Sequence, residues 1–335
     1  MLASPVPGVD TERPPARAAT LLLLTALTAS FPLSAQEYPA KPIRLLVGFA
    51  PGGATDIVAR VIAPKLTSAL GQQVIVENRP GAGSNIAAEI VARAAPDGYT
   101  LLMGTIAALA INPSLYGKVP FDPVKDFAPI TQAGAMNNII VVHPVLPVKT
   151  LKEFVALAKS RLGQINYATP GAGSSAHLAG ELFRKVAGID IVPVHYKGGG
   201  QAIVDVLAGH VPVALSSVPV VIPHVKAGKF KAIAVTTGKR AAALPDVPTV
   251  AETGYQGYEV NNWYGLLAPT GTPRPVIDRL NREATGVLKS PDIAKILSDH
   301  GHEPVTTTPE QFGAFIKSEI TKWAIIVKDS GAKAN

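Results

Sequence analysis

The chain has 335 residues, no cysteine, 47% hydrophobic and 16% charged residues, and a formal net charge of +7. Such a composition is globular rather than disordered. The lack of cysteine excludes disulfides, thiol nucleophiles, thiolate metal sites and a lipid-modified N-terminal Cys. Basic residues are spread singly, with Arg184-Lys185 and Lys239-Arg240 the only adjacent pairs. The excess charge therefore favours anionic ligands by steering, and there is no basic arm or aromatic-basic strand for nucleic acid.

In chain order, Arg13 and Arg17 precede an apolar stretch from Ala18 to Leu33, and Ser34-Ala35 follows. This is the layout of a secretory signal peptide over residues 1–35, cleaved after Ala35. Thr, Ser and Pro interrupt the stretch, which is too short to span a bilayer comfortably. The segment before Arg13 is long for a signal peptide, so the start of translation is placed downstream of Met1 as an alternative. Asp10, Glu12, Arg13 and Arg17 cancel in charge, so the positive excess belongs to the exported part.

Ile43 to Gly48 is a short aliphatic run bounded by turn residues, which predicts a buried strand. Phe49-Ala50-Pro51-Gly52-Gly53-Ala54-Thr55-Asp56 follows, and Ile57, Val58, Val61, Ile62, Leu66 and Leu70 then recur at helical spacing. Pro51-Gly52-Gly53 thus lies between a strand end and a helix start. The first N–H groups of a helix are unpaired and carry partial positive charge, and glycines let an anion approach that backbone. Two readings stand side by side: half of a carboxylate-binding cleft, or an ordinary Gly-rich turn. Asp56, in the first helical turn, complements the helix dipole or meets a ligand amine.

Strand and helix patterns continue to alternate. Gln73 to Glu77 predicts a strand, Asn78 to Asn85 a glycine-rich loop with Asn85 as N-cap, and Leu101 to Thr105 a strand ending in Gly104-Thr105. Ile106 to Lys125 is Pro-rich and irregular. Ile139 to Val142 is a strand, and Thr150 to Glu153 a capping box. Ile165 to Thr169 then runs into Pro170-Gly171-Ala172-Gly173-Ser174-Ser175 and a helical pattern, which repeats the opening design about 120 residues later. Strands are further expected at Ile191–His195, Val211–Ser217 and Lys231–Thr236, and a capped helix after Thr308-Pro309. This alternation implies α/β architecture with parallel sheets. Roughly 300 exported residues exceed one comfortable core, so two domains are expected. Ligands of such sheets bind beyond the strand carboxyl ends, which would set the two loops across one cleft.

The chain contains no Gly-x-Ser-x-Gly elbow, His-Glu-x-x-His or Walker loop. His300 and His302, the only close pair of histidines, are expected on a surface turn. Ser174 or Ser175 with His177 offers a nucleophile–base pair on paper, but serine as N-cap with its hydroxyl toward a ligand fits a helix start better. Tyr196, with the glycines after Lys197, offers a phenol and N–H donors, or a plain turn. Ser216 and Ser217 end a strand as hydroxyl donors or as strand-end caps. Trp263 and Tyr264 wall the cleft or pack beneath it.

The ordered set of motifs resembles the Bug-type solute receptors of tripartite tricarboxylate transporters. It comprises Tyr38 to Arg44, Pro51 to Asp56, Asn78 to Gly83, Ala95 to Leu102, Gly173 to Phe183, Tyr196 to Gly199, Leu244 to Glu252 and Trp263 to Pro269. The resemblance implies a type II periplasmic-binding-protein fold. Residues 36–137 with 261–335 would form one domain and 138–260 the other, with crossovers near 135–139 and 258–264. It implies a monomeric, non-catalytic periplasmic receptor, without cofactor or metal, that closes on a small carboxylate or other organic anion and is read by a membrane permease. A sensor for a membrane kinase and a Ser175–His177 hydrolase are the alternatives. Carried onto this chain, the resemblance points to Pro51-Gly52-Gly53, Gly104-Thr105 and Thr169 to Ser175. With the candidates read from the residues themselves, the expected ligand residues are Phe49, Pro51, Gly52, Gly53, Asp56, Gly104, Thr105, Thr169, Pro170, Gly171, Ser174, Ser175, His177, Tyr196, Ser216 and Ser217. Ser216 stands where family members often carry Asp, which puts any inference to an amino-bearing ligand in doubt.

Overall fold

The computed structural model describes residues 1–5, 8 and 38–332. The signal-peptide expectation falls almost wholly on residues outside those described. From Tyr38 onward the contacts form one compact unit. Among the described residues no helix is long and apolar enough to cross a membrane.

The order of elements is β1 (Ile43–Val47), α1 (Ala54–Leu70), β2 (Val74–Asn78), α2 (Asn85–Ala92), β3 (Thr100–Thr105), α3 (Asn112–Leu115), β4 (Phe127–Val142) and α4 (Leu151–Ser160). Next come β5 (Ile165–Thr169), α5 (Ser175–Ala187), β6 (Ile191–His195), α6 (Gly199–Leu207), β7 (Val213–Ser217), α7 (Val218–Lys226) and β8 (Lys231–Val235). The chain ends with β9 (Asn261–Pro269), α8 (Arg274–Lys289), α9 (Pro291–Asp299), β10 (His302–Glu303) and α10 (Pro309–Ser330). The strands run in the order β2-β1-β3-β9-β4-β7-β5-β6, with β8 and β10 also paired to β4. β1 is parallel to β2 and β3, and β5 is parallel to β6 and β7.

Alternation along the strands shows why they read as unbroken apolar runs. Ile43, Leu45 and Val47 enter a core beneath α1 and α8, whereas Leu46 enters a second core on the opposite face. Ile139 and Val141 face α6 and α7, and Ile140 and Val142 turn to that second core. With both faces covered, these positions are apolar, and only Arg44 of β1 stays exposed. Each fully buried aliphatic side chain contributes roughly 1.5–3 kcal/mol.

β4 is the organising strand. Its first part pairs with β9 as far as Asn137↔Asn261, and from Asn138↔Ser217 onward it pairs with β7. It starts twelve residues before the strand expected at Ile139. Pro129 and Gly134 disguise this part, and the pairing accommodates them by shifting register beside each. The stretch after β3, expected to be irregular, forms a π-helical turn at Ala107–Ile111 followed by α3. Ser84, not Asn85, is the N-cap of α2. Asn85 instead accepts a hydrogen bond from Asn112 at 2.8 Å. His302 is buried rather than on a surface turn, and it lies 3.0 Å from the Tyr264 hydroxyl. Its pairing with Met136 draws it inward.

Candidate functional site

Beyond the strand ends lies a cleft of about 470 Å³, counting all empty space between its walls and at its mouth. The lining is Phe49, Gly53, Ala54, Thr55, Thr105, Ile106, Ala107, Met136, Asn138, Pro170, Ser174, Ser175, Ala176, Gly199, Ser217, Val220 and Asn262. These residues come from the starts of α1, α5, α6 and α7 and the loops before them, from the end of β3 and the turn after it, and from β4 and β9. Each helix start leaves N–H groups without intrahelical partners and carries roughly half a positive charge. The N-caps of α1, α6 and α7 are Gly53, Gly198 and Ser217, and none uses a side chain to satisfy those donors. In α5, the Ser174 hydroxyl takes one, accepting from His177 N–H at 3.1 Å.

Among the described residues, no Asp, Glu, Lys, Arg or His lines the cleft. The helix starts are therefore the source of partial positive charge around it. Thr55 Oγ1 and Thr105 Oγ1 are buried in the lining without a protein partner, and Ser216 Oγ lies likewise just behind Gly199. A buried hydroxyl left unpaired costs about 1–3 kcal/mol, so these groups fit a polar ligand better than they fit the protein.

Of the expected ligand residues, the cleft brings together Phe49, Gly53, Thr105, Pro170, Ser174, Ser175 and Ser217. The others lie around it. Pro51 and Gly52 are exposed, and a Cβ at Gly200 would lie 3.3 Å from Pro51 O. Asp56 is buried and accepts from Gly52 N–H, Asn78 Nδ2 and Arg60 Nε, each at 2.9 Å. Burial alone would raise its pKa, but the hydrogen bonds from Arg60, Gly52 and Asn78 outweigh it and hold the carboxyl below its usual range. Asn78 Nδ2 also donates to Phe49 O at 2.9 Å, so this network fixes the opening loop.

Gly104 is packed between Leu267 and Leu109. Thr169 Oγ1 is 2.9 Å from His195 Nδ1 and accepts from Gly171 N–H at 3.3 Å. His177 Nδ1 accepts from Gly173 N–H at 3.3 Å, and its ring meets that of His195 edge-on at 4.6 Å. Ser175 Oγ bonds to Asn138 rather than to His177, so no nucleophile–base pair forms. Gly171 and Tyr196 line a neighbouring pocket of about 560 Å³ beside Gly81–Ser84. The Tyr196 hydroxyl donates to Asp205 at 2.6 Å. Trp263 and Tyr264 are buried outside the lining.

Sequence reasoning missed Thr55, Met136, Asn138 and Asn262. Thr55 was findable, because it is the second residue of a helix already placed beside a ligand loop. The other three lie in strand segments whose pairing was hidden.

The sequence profile of the tripartite tricarboxylate transporter family receptor matches residues 58–332. The chain belongs to this receptor family. Protein BugT of Bordetella pertussis is 39% identical over 303 residues, covering 90% of this chain and 93% of BugT. A Rhodopseudomonas palustris protein solved with adipate is 34% identical with a TM-score of 0.86, covering 89% of this chain and 99% of that one. MatC from the same organism, solved with bound malate, is 32% identical with a TM-score of 0.83, covering 87% of this chain and all of MatC's (100%). The architecture is accordingly that of the periplasmic solute-binding proteins, as the motifs implied. The family is one of receptors by its description.

Proposed function

We propose that this chain is an exported receptor that captures a small carboxylate in the cleft and delivers it to the membrane permease of a tripartite transporter. One observation carries the reading: four helix N-termini converge on a neutral lining that holds the unpartnered hydroxyls of Thr55 and Thr105. A carboxylate supplies acceptors for both the N–H groups and the hydroxyls. The adipate and malate found on its relatives make C4–C6 dicarboxylates the first candidates.

The lining also argues for an acid without an ammonium group. An ammonium in the cleft would lose water with no carboxylate to receive it, and Asp56, next to Thr55, is already engaged by Arg60 and Asn78.

The reading includes two lobes, residues 36–137 with 261–335 and residues 138–260, hinged where β4 changes partners between Asn137 and Asn138. The receptor is taken as a monomer, working in the periplasm after loss of residues 1–35. The direct test is mass spectrometry of ligand released by denaturing the purified protein. A small carboxylic acid at near-stoichiometric yield is expected. A ligand bearing no acid group would overturn the reading.

A further inference from the structure

Asn138 occupies an unusual place. It is the first residue of β4 to pair with β7, while its neighbour Asn137 is the last to pair with β9. Side chains alternate along a strand, and these two amides part accordingly. Asn137 Nδ2 donates away from the cleft, to Thr237 Oγ1 at 2.8 Å. Asn138 faces the cleft and is 1% exposed.

A buried amide must find partners, and those of Asn138 come from two different elements. Its Nδ2 donates to Ser175 Oγ at 3.2 Å, at the first residue of α5. Its Oδ1 accepts from Asn262 Nδ2 at 3.3 Å, at the second residue of β9, and lies 3.4 Å from Ser175 Oγ. All three residues line the cleft. These bonds sit at the long end of the useful range, and an amide has two N–H donors and two acceptor lone pairs. Capacity therefore remains for a bound molecule. On its backbone side, Asn138 O accepts from Thr236 N–H at 2.9 Å, and Thr236 in turn bonds to Val260, just before β9.

We propose that Asn138 is a positioning residue that ties contact with the ligand, through Ser175, to the two strands β4 and β9 where they change partners. The proposal rests on the receptor reading above. A ligand that engages the Ser175 hydroxyl fixes the Asn138 amide, which then holds Asn262. Asn138 and Asn262 accordingly act as one unit rather than as two separate contacts.

The test is calorimetry on ligand-stripped, refolded protein, with adipate and malate as probes. Asn138→Ala and Asn262→Ala are each expected to weaken the better probe about tenfold, the upper end of what one neutral hydrogen bond contributes. The double variant should fall within about threefold of the weaker single variant. Effects that multiply, or single variants within about twofold of the wild type, would overturn the proposal. Asn138→Asp keeps the acceptor and adds a charge, so its binding should be lost at neutral pH and return as the new carboxyl protonates. A pH-independent loss would contradict the placement of Asn138 beside the anion's site.

Should no C4–C6 diacid bind the wild type, the ligand reading fails, and hydrogen exchange on ligand-free protein decides the role of Asn138. Asn138→Ala should then speed exchange both at the start of α5 and at the start of β9. Faster exchange at only one of them, or at neither, would overturn the linkage.

Discussion

The N–H of Ala50 donates to the carbonyl oxygen of Lys197 at 3.1 Å, so the first glycine-rich loop meets the loop after β6 through main chain alone. The approach is close. A Cβ at Gly198 would lie 3.1 Å from both Ala50 Cβ and Ala50 N. Gly198→Val should hold the loops apart at the mouth of the cleft. Ligand affinity should fall about tenfold, and the melting temperature should drop by several degrees, because Gly198 is buried against Ala50. Calorimetry paired with thermal denaturation checks both parts.

The unpartnered hydroxyls predict opposite effects on stability and on binding. Thr105→Val and Thr55→Val replace a buried, unpaired oxygen with a methyl of similar shape. Stability should be unchanged or up to about 1 kcal/mol higher, whereas ligand affinity should drop about tenfold. Urea unfolding and calorimetry on the same preparations separate the two. A loss of stability with unchanged affinity would show these hydroxyls serving the fold.

Asp56 anchors the opening loop through Gly52, Asn78 and Arg60. Asp56→Ala leaves the Gly52 N–H and the Asn78 amide short of a partner and should cost about 2 kcal/mol in urea unfolding. Its lowered pKa gives a sign as well. The stabilisation is present above the ordinary aspartate range and is lost as pH falls through the depressed folded value. Asp56→Asn should therefore flatten the acid limb of the stability profile below about pH 4. It also removes a negative charge near the start of α1, so a fall in anion affinity would mark loop positioning rather than simple electrostatics as its role.

Two buried histidines set a second pH dependence. Burial, and then the charge of His195 and Arg184, lowers the pKa of His177 to about 3, and burial with His300 does the same for His302. The unfolded chain binds these protons near pH 6.5 and the folded chain does not, so folding loses stability as pH drops from about 6.5 toward 3. Each group contributes a slope approaching 1.4 kcal/mol per pH unit. His177→Gln keeps a side-chain acceptor for Gly173 N–H and should remove one such slope, measured by urea unfolding at pH 7 and pH 5.

How far the sequence could be read follows from burial. Four of the five residues of β1, and Ile139 to Val142 at the end of β4, are buried and aliphatic because helices or sheet neighbours cover both faces, so their patterns announced themselves. Loops at 51–53 and 170–175 were legible because glycines and a serine cap sit where strand becomes helix. Asn138 and Asn262 were not, because a polar residue within a strand resembles a break unless the partner strand is known. Pro129 and Gly134 hid the first part of β4 in the same way. His302 reads as a surface residue in the sequence because its burial depends on pairing with Met136, far away in the chain.

In the proposed receptor, helix N-termini and hydroxyls around a neutral cleft hold a small carboxylate that lacks an ammonium group. The most direct measurement is calorimetry of ligand-stripped, refolded protein against matched pairs such as succinate with aspartate and glutarate with glutamate. Single-site binding of an acid in the micromolar range or tighter is predicted, with its amino partner at least about a hundredfold weaker. Equal or tighter binding of the amino partner, or no binding of any C4–C6 acid by protein shown to be folded, would contradict the account.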